Sequence, residues 1–365
     1  MKISTTKLKL LEAIQITERV VGKKESLPIL SCILIDAGEK LFLRATNLES
    51  GVEIQVPSDI TTKGSIAVPA SILSQTIRSV AAETLTLSSE EGNLLLEARG
   101  TKTVIKAIPH DEFPALSKDV KKGGVELPRE KLMRGIQAVS YSASPSMIRP
   151  DLGSVFLSIK DGAITAVATD SFRLAEKHVS DASKGGESEF LIPLRHATEL
   201  VHILERLDAP SVTIGTDDAQ LSVTGGGLRY VSRIVEANFP NYKEIIPKTF
   251  ATEATVLKGD FAEMLRKARV FSGNDQHVGF HIYPKKKIFS VTARSANVGE
   301  MSDSVDAALS GEDLDINFHI GYLSECLTSI ESDSVVLSFA GTGKPLVIKG
   351  VSDGTFTYLV MPLNR

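Results

Sequence analysis

Cysteine is nearly absent from this chain: two residues in 365, Cys32 and Cys326, both inside apolar segments. That excludes a disulfide framework and fits a reducing cytoplasm, with both thiols read as small core residues. No stretch approaches the ~18 consecutive apolar residues of a membrane-spanning helix, so no membrane association is expected. The N-terminus also lacks the apolar core of a secretory signal. No nucleophile, base and orienting group stand at a recognisable spacing, so neither catalytic residues nor an enzyme activity is expected. Seven histidines are scattered. His277 and His281 can share a strand, and His196 and His202 a helix, but neither pair brings a third ligand, so no metal is expected. Ala340-Gly-Thr-Gly-Lys-Pro345 holds a fragment of a phosphate loop, yet Pro345 stands where Ser or Thr must bind magnesium and a strand follows. No cofactor is therefore expected. Gly225-Gly-Gly227 precedes strand-like residues and reads as a hairpin turn.

What the chain does have is repetition. A strand pair recurs as Ile33–Asp36 with Leu41–Thr46, Val155–Ile159 with Ile164–Thr169, and Gly279–Ile282 with Ile288–Thr292. A strand running into a helix recurs at Ile66–Leu73, Phe190–Ala197 and Phe318–Leu323. A hairpin ending in proline closes each unit: Leu85 to Pro114, Val212 to Pro240, Val335 to Pro362. The spacing is roughly 120–130 residues, that of whole domains rather than solenoid units. Three motifs in the same order, three times, imply a tandem triplication. The domains expected are 1–121, 122–249 and 250–365, and the length suits about three cores.

Each unit opens with an amphipathic helix: Leu8, Leu11, Ile14 and Val21 in the first, Leu132, Met133, Ile136 and Val139 in the second, Phe261, Met264, Leu265 and Ala268 in the third. A second helix follows at 70–80, 194–207 and 321–330. Alternating segments such as Leu94–Ala98 and Leu221–Thr224 read as half-buried antiparallel strands. The fold class is therefore α+β, three copies of two helices packed on antiparallel sheet.

Net charge is −4, which on average argues against nucleic acid. The distribution says more. Lys7, Lys9, Lys23, Lys24, Arg78, Arg129, Lys131, Arg134, Arg195, Arg206, Arg266, Lys267 and Arg269 fall in or beside the helices, whereas acidic residues gather in strand-connecting loops. One basic and one acidic face are expected. Lys285-Lys-Lys287 reads as a solvated hairpin tip, and Asp217-Asp218 as a turn.

Taken together, Leu27–Leu30, Ala168–Ala175, Phe239–Tyr242 and Tyr358–Leu363, in this order and on this triplicated background, resemble the bacterial sliding-clamp family, the beta subunit of DNA polymerase III. The resemblance runs end to end. It implies three clamp-fold domains per chain and a head-to-tail homodimer closing a ring around double-stranded DNA, with helices lining the hole and no sequence-specific contacts. It implies the replicative DNA polymerase, the clamp loader and other clamp-motif proteins as partners. An interaction ring without DNA is the alternative reading. Lys24 and Arg149 would lie near DNA, although Pro150 and Asp151 replace a tyrosine pair and Asp151 would repel phosphate. A peptide pocket would draw on Leu152, Thr169, Ser171, Phe172, Arg173 and Leu174, then Pro240, Glu244 and Ile245, then Tyr322, Pro345, Leu359, Val360, Met361, Pro362 and Leu363. Arg173 is expected to bond a peptide carbonyl or carboxylate. Ser171-Phe172 stands where relatives often carry Gly-His, Glu244 where some carry Arg, and the chain ends Asn364-Arg365. The dimer joint would pair strands near Thr103, Val104 and Ile105 with the region of Val270 and Phe271.

Overall fold

In the computed structural model, described for residues 1–22, 27–116, 124–180, 186–217 and 219–363, repeated sequence becomes repeated element order. The first stretch runs β1 (Lys2–Thr6), α1 (Lys7–Thr17), β2 (Cys32–Ala37), β3 (Leu41–Thr46), β4 (Ser50–Val56), β5 (Asp59–Thr62), β6 (Gly64–Pro69), α2 (Ala70–Ser79), β7 (Thr84–Glu90), β8 (Asn93–Ala98) and β9 (Thr101–Lys106). The second runs β10 (Val125–Pro128), α3 (Arg129–Ser140), β11 (Ser154–Lys160), β12 (Ala163–Thr169), β13 (Arg173–Val179), β14 (Ser188–Pro193), α4 (Leu194–Arg206), β15 (Ser211–Thr216), β16 (Gln220–Gly225) and β17 (Leu228–Arg233). The third runs β18 (Thr252–Leu257), α5 (Lys258–Phe271), β19 (His277–Tyr283), β20 (Ile288–Ser295), β21 (Gly299–Ser304), β22 (Ala307–Gly311), β23 (Leu314–His319), α6 (Ile320–Cys326), β24 (Ser334–Phe339), β25 (Leu346–Gly350) and β26 (Phe356–Val360). Apart from β5 and β22, each stretch is the order strand, helix, three strands, written twice. The sequence displays three copies, and the structure divides each into two halves.

Two compact units contain these elements, 1–133 with 182–236, and 134–181 with 237–365. The first unit holds the sheets β5-β1-β7-β8-β9 and β10-β15-β16-β17-β4-β3-β2-β6. The second holds β11-β12-β13-β26-β25-β24-β18-β22 and β21-β20-β19-β23. The same joint occurs once in each unit. β4 pairs antiparallel with β17, from Ser50 opposite Ser232 to Ile54 opposite Leu228. β13 pairs antiparallel with β26, from Arg173 opposite Val360 to Lys177 opposite Phe356. Thus the third strand of one repeat adds to the last strand of the next, and edge strands that would otherwise be exposed are paired.

A second device occurs three times. The first residue of each leading helix is a cation that reaches the carbonyl end of the following helix. Lys7 Nζ donates to the carbonyls of Arg78 (3.2 Å) and Val80 (2.5 Å). Arg129 Nη1 donates to Leu204 O (2.6 Å), and Lys258 Nζ to Ile330 O (2.8 Å). Carbonyls at a helix C-terminus carry partial negative charge and lack intrahelical partners, so a cation there is favourable. Lys7 and Arg129 were expected on a free basic face. They are committed to this cap instead.

The helix stripe of α5 is as expected, with Phe261, Met264, Leu265 and Ala268 all buried; in α3, Leu132, Ile136 and Val139 are buried while Met133, expected with them, is only half-buried. In α1 the expected stripe is turned. Leu8 is largely exposed while Leu10, Ala13, Ile14, Ile16 and Thr17 are buried. With apolar residues at 8, 10, 11, 14 and 16, periodicity alone cannot choose the face, and packing of α1 on β4 does. The second helix of the third repeat is shorter than expected, α6 giving way to a 3-10 turn at Leu327–Ser329. The Gly226-Gly227 turn is as expected: Gly225 pairs with Leu228, and both glycines have positive φ, the geometry of a two-residue hairpin loop. The phosphate-loop fragment is the turn between β24 and β25. Cys32 and Cys326 are fully buried, and burial raises both thiols above their ordinary pKa.

At the β13·β26 joint Lys177 and Asp353 are both buried, 3.6 Å apart. Lys177 Nζ also donates to Thr355 Oγ1 at 2.8 Å. Lys177→Met is expected to cost about 3 kcal/mol, read from urea denaturation, because Asp353 is left buried without its counter-charge. Burial pushes the Asp353 carboxyl up, but hydrogen bonds from Thr355 and from the Glu331 backbone, with the charge of Lys177, bring its pKa below the ordinary value. A lowered folded-state pKa gives stability that is full above about pH 4 and is lost as pH falls through the folded value.

Candidate functional site

The two joints carry the same turn, and the second carries most of the pocket residues expected from the sequence. Between β3 and β4, Thr46 Oγ1 donates to Ser50 O and accepts from Leu48 N, while Asn47 Oδ1 accepts from the N–H groups of Glu49 and Ser50. Between β12 and β13, Thr169 Oγ1 donates to Arg173 O and accepts from Ser171 N, while Asp170 Oδ1 accepts from Phe172 N and Arg173 N. Leu48 and Ser171 occupy the left-handed region, φ 74° and 79°. Short polar side chains bonding backbone N–H groups two and three residues on are what make such turns rigid. The chain after the paired strand is fixed the same way in both. Arg233 N donates to Glu49 O (2.9 Å) and Val235 N to Leu191 O (2.9 Å); Met361 N donates to Phe172 O (2.8 Å) and Leu363 N to Asn317 O (2.8 Å).

In the second unit this frame supports an apolar cluster. Val167, Leu174, Tyr242, Val347 and Leu359 are buried together, with Phe156, Phe239, Ile246 and Met361 packed against them. The Phe156 and Phe239 rings stack at 5.1 Å, and Phe239 meets Tyr242 edge-on at 6.0 Å. Of the expected pocket residues, Leu174, Leu359 and Met361 are in this cluster. Thr169, Ser171, Phe172 and Arg173 form the turn beside it, and Val360, Pro362 and Leu363 continue from β26. Pro240, Glu244 and Ile245 lie on the segment that carries Phe239, Tyr242 and Ile246. Leu152 is buried at the end of the loop after α3, and Pro345 leads into β25, which supplies Val347. Phe172 (62%) and Ile245 (52%) are exposed.

Arg173 already has partners within the chain. Its side chain is 10% exposed, and its guanidinium donates from Nε to Asp170 Oδ2 (2.9 Å) and from Nη1 to Glu325 and lies over the Tyr322 ring at 4.3 Å. Tyr322 in turn accepts the Tyr358 hydroxyl on its carbonyl (2.9 Å). Glu244 accepts from Asn241 Nδ2 at 2.6 Å.

Of the two residues expected near DNA, Lys24 lies outside the described residues. Arg149 is exposed but forks onto Asp151, Nε to Oδ1 at 3.1 Å and Nη2 to Oδ2 at 2.6 Å. The Arg149 hydrogen bond is the main cause holding the Asp151 carboxyl below its ordinary pKa. Asp151 therefore neutralises the cation beside it, and the loop tip is apolar, with Ile148 almost fully exposed. In the first unit an open cleft of about 330 Å³ is lined by Gln15, Glu18, Arg19, Arg78 and Arg206.

Three of the five expected dimer residues fall on an edge strand among the described residues. Thr103, Val104 and Ile105 lie on β9, the edge of its sheet, with Val104 61% exposed. Val270 and Phe271 are the last turn of α5 rather than a strand, and the edge strand packed beside that helix is β21. Sequence reasoning missed β21, whose signal was its place in the repeat, the third strand after a leading helix.

Repeated βαβββ halves joined strand to strand define a clamp-fold protein. The chain belongs to the DNA polymerase III beta subunit family: its N-terminal, central and C-terminal domain profiles match residues 1–117, 126–241 and 243–364. Among curated relatives, the beta sliding clamp of Staphylococcus epidermidis is 24% identical over 359 residues, 95% of each chain. The crystal structure of the DNA polymerase III beta subunit from Thermotoga maritima matches with TM-score 0.94 and 27% identity, covering 100% of this chain and 99% of that one. The sliding clamp of Bacillus subtilis matches with TM-score 0.93 and 23% identity, over 100% and 99%.

Proposed function

We propose that this chain is a DNA sliding clamp, a non-enzymatic processivity factor. Two copies form a ring around double-stranded DNA and tether the replicative polymerase, the clamp loader and other clamp-motif proteins in the cytoplasm. Domains 1–121, 122–249 and 250–365 are the repeating modules. Phosphate contacts of low specificity would be screened and exchange rapidly, so the ring prevents escape without stopping movement.

The observation that carries ring closure is the joint rule. Third strand meets last strand at β4·β17 and β13·β26, which leaves one third strand, β21, and one last strand, β9, at sheet edges. The tail of β9 is anchored like those of β17 and β26, with Ile108 N donating to Ala67 O at 2.9 Å. A second copy supplies the missing partner for each edge, head to tail. Val231 lies opposite Gly51. The same register, carried over to β9 and β21 of a second copy, would put Val104 opposite Gly299 of the partner subunit, near the end of the helix that carries Val270 and Phe271.

Sedimentation at micromolar concentration is expected to give a dimer, and Val104→Asp a monomer, because a carboxylate would be buried in the joint. A wild-type monomer that does not self-associate contradicts the reading. Retention on circular but not linear DNA tests encirclement.

The peptide pocket is the cluster of Leu174, Leu359 and Met361 with Pro240, Ile245, Pro362 and Leu363 around it. Apolar anchors buried there contribute roughly 1.5–3 kcal/mol each, and Met361 adapts to differently shaped side chains.

A further inference from the structure

The second helix of each repeat starts from one residue at the end of a strand, and only in the third copy is that residue titratable. α2 follows Pro69 and α4 follows Pro193, neither with a side-chain cap. α6 follows His319, whose Nδ1 accepts from Tyr322 N at 3.4 Å. The residue two places on is Ser71, Arg195 and Gly321 in the three copies. A Cβ on Gly321 would lie 3.0 Å from the His319 ring, so glycine leaves the imidazole room to fold over the helix. Folded there, the ring lies against that of Tyr322, with centroids 4.2 Å apart. Tyr322 is thus held by His319, by the Arg173 guanidinium over its ring and by the Tyr358 hydroxyl on its carbonyl. Two residues before His319, Asn317 O accepts from Leu363 N and anchors the chain that follows β26. His319 therefore stands between two of the residues expected in the pocket, Tyr322 and Leu363.

We infer that His319 is a positioning residue of the peptide pocket, and that it fixes Tyr322 only while its imidazole is neutral, so that acid releases the bound peptide. This rests on the pocket reading given above. An accepting Nδ1 needs its lone pair, so the neutral ring carries its proton on Nε2. A second proton can go only to Nδ1. There it removes the acceptor from Tyr322 N and sets an imidazolium beside the guanidinium that already lies against the same phenol ring. The charged and titratable groups facing the imidazole are Arg173 on β13, Asp170 in the turn before it, Glu325 on α6, and His277, directly opposite on β19. Burial first, then the charge of Arg173, holds His319 below its ordinary pKa; His277 adds to this, while Glu325 and Asp170 oppose it. The sign follows. Docking is complete above the ordinary histidine value of about 6.5 and is lost as pH falls through the lower, folded value.

The test is calorimetric titration of the full chain with a peptide capped at both ends, carrying two leucine anchors and no ionisable side chain. Wild-type affinity is expected to be constant from about pH 8 to about pH 6.5 and at least about threefold weaker by about pH 5. The loss follows one proton, so it never exceeds about tenfold per pH unit. His319→Asn still offers an acceptor to Tyr322 N but does not titrate. It is expected to bind within about twofold of wild type at about pH 7.5 and to lose the acid dependence. His277→Gln removes a like charge, so the inflection moves to higher pH and remains. By reciprocity the peptide lowers the His319 pKa, which proton NMR of the imidazole reads in the free and bound chain. A flat wild-type profile, an acid loss that survives in His319→Asn, or one that vanishes in His277→Gln overturns the inference. If wild type binds no peptide at about pH 7.5, where the neutral ring prevails, the pocket reading itself fails and this inference with it.

Discussion

Truncation after Val360 is expected to abolish partner-peptide docking, by a hundredfold or more in affinity, while the fold survives. β26 ends at Val360, so its ladder to β13 is complete without the tail. What the truncation removes is Met361 from the apolar cluster, Pro362 and Leu363 beside it, and two backbone hydrogen bonds, Met361 N to Phe172 O and Leu363 N to Asn317 O. Two lost apolar anchors at roughly 1.5–3 kcal/mol each exceed the ~2.7 kcal/mol that corresponds to a hundredfold. Losing the bond to Phe172 also loosens the turn opposite. A melting temperature within a few degrees of wild type, with polymerase stimulation gone, is the expected result. Unchanged polymerase stimulation refutes the assigned pocket, and a collapsed melting curve refutes the claim that this tail is dispensable for folding.

The hairpins were legible because they are local: alternation and turn residues within a dozen positions fix β2 with β3, β11 with β12, and the Gly226-Gly227 turn. The α5 face was legible because Phe261, Met264, Leu265 and Ala268 form a single stripe, whereas α1 carries apolar residues on two faces and the sequence left the choice open. The joints were not legible. β13 and β26 lie some 180 residues apart, and nothing in either segment names its partner. Arg173 read as a free group although Asp170 stands three positions before it; its second counter-ion, Glu325, is 152 positions away and could not be seen. Lys7 and Arg129 read as surface charges because the carbonyls they cap belong to another helix. The repeat held the missing signal. Lys7, Arg129 and Lys258 fall at the same place in three copies, as do Glu199 and Glu325 in two, and residues so placed are candidates for the frame rather than the surface.

Half of the site was therefore readable as composition and half only as geometry. Leu174, Leu359 and Met361 are apolar residues that the fold gathers, and the resemblance already pointed to them. The ion pairs of Arg173 with Glu325 and of Arg149 with Asp151 come into view only in the structure. The opposite number proposed for Val104 was read only from the register of Val231 with Gly51.

Dissociation from DNA with and without free ends measures the central claim most directly. The chain is loaded onto nicked circular duplex by a clamp loader and ATP, and the circle is then cut once with a restriction enzyme. A threaded collar held by its geometry stays on the uncut circle through a wash at high salt, where phosphate contacts are weakened, and leaves within minutes of cutting. Equal loss from cut and uncut molecules, or salt-sensitive release from the intact circle, would mean that the protein grips DNA from outside.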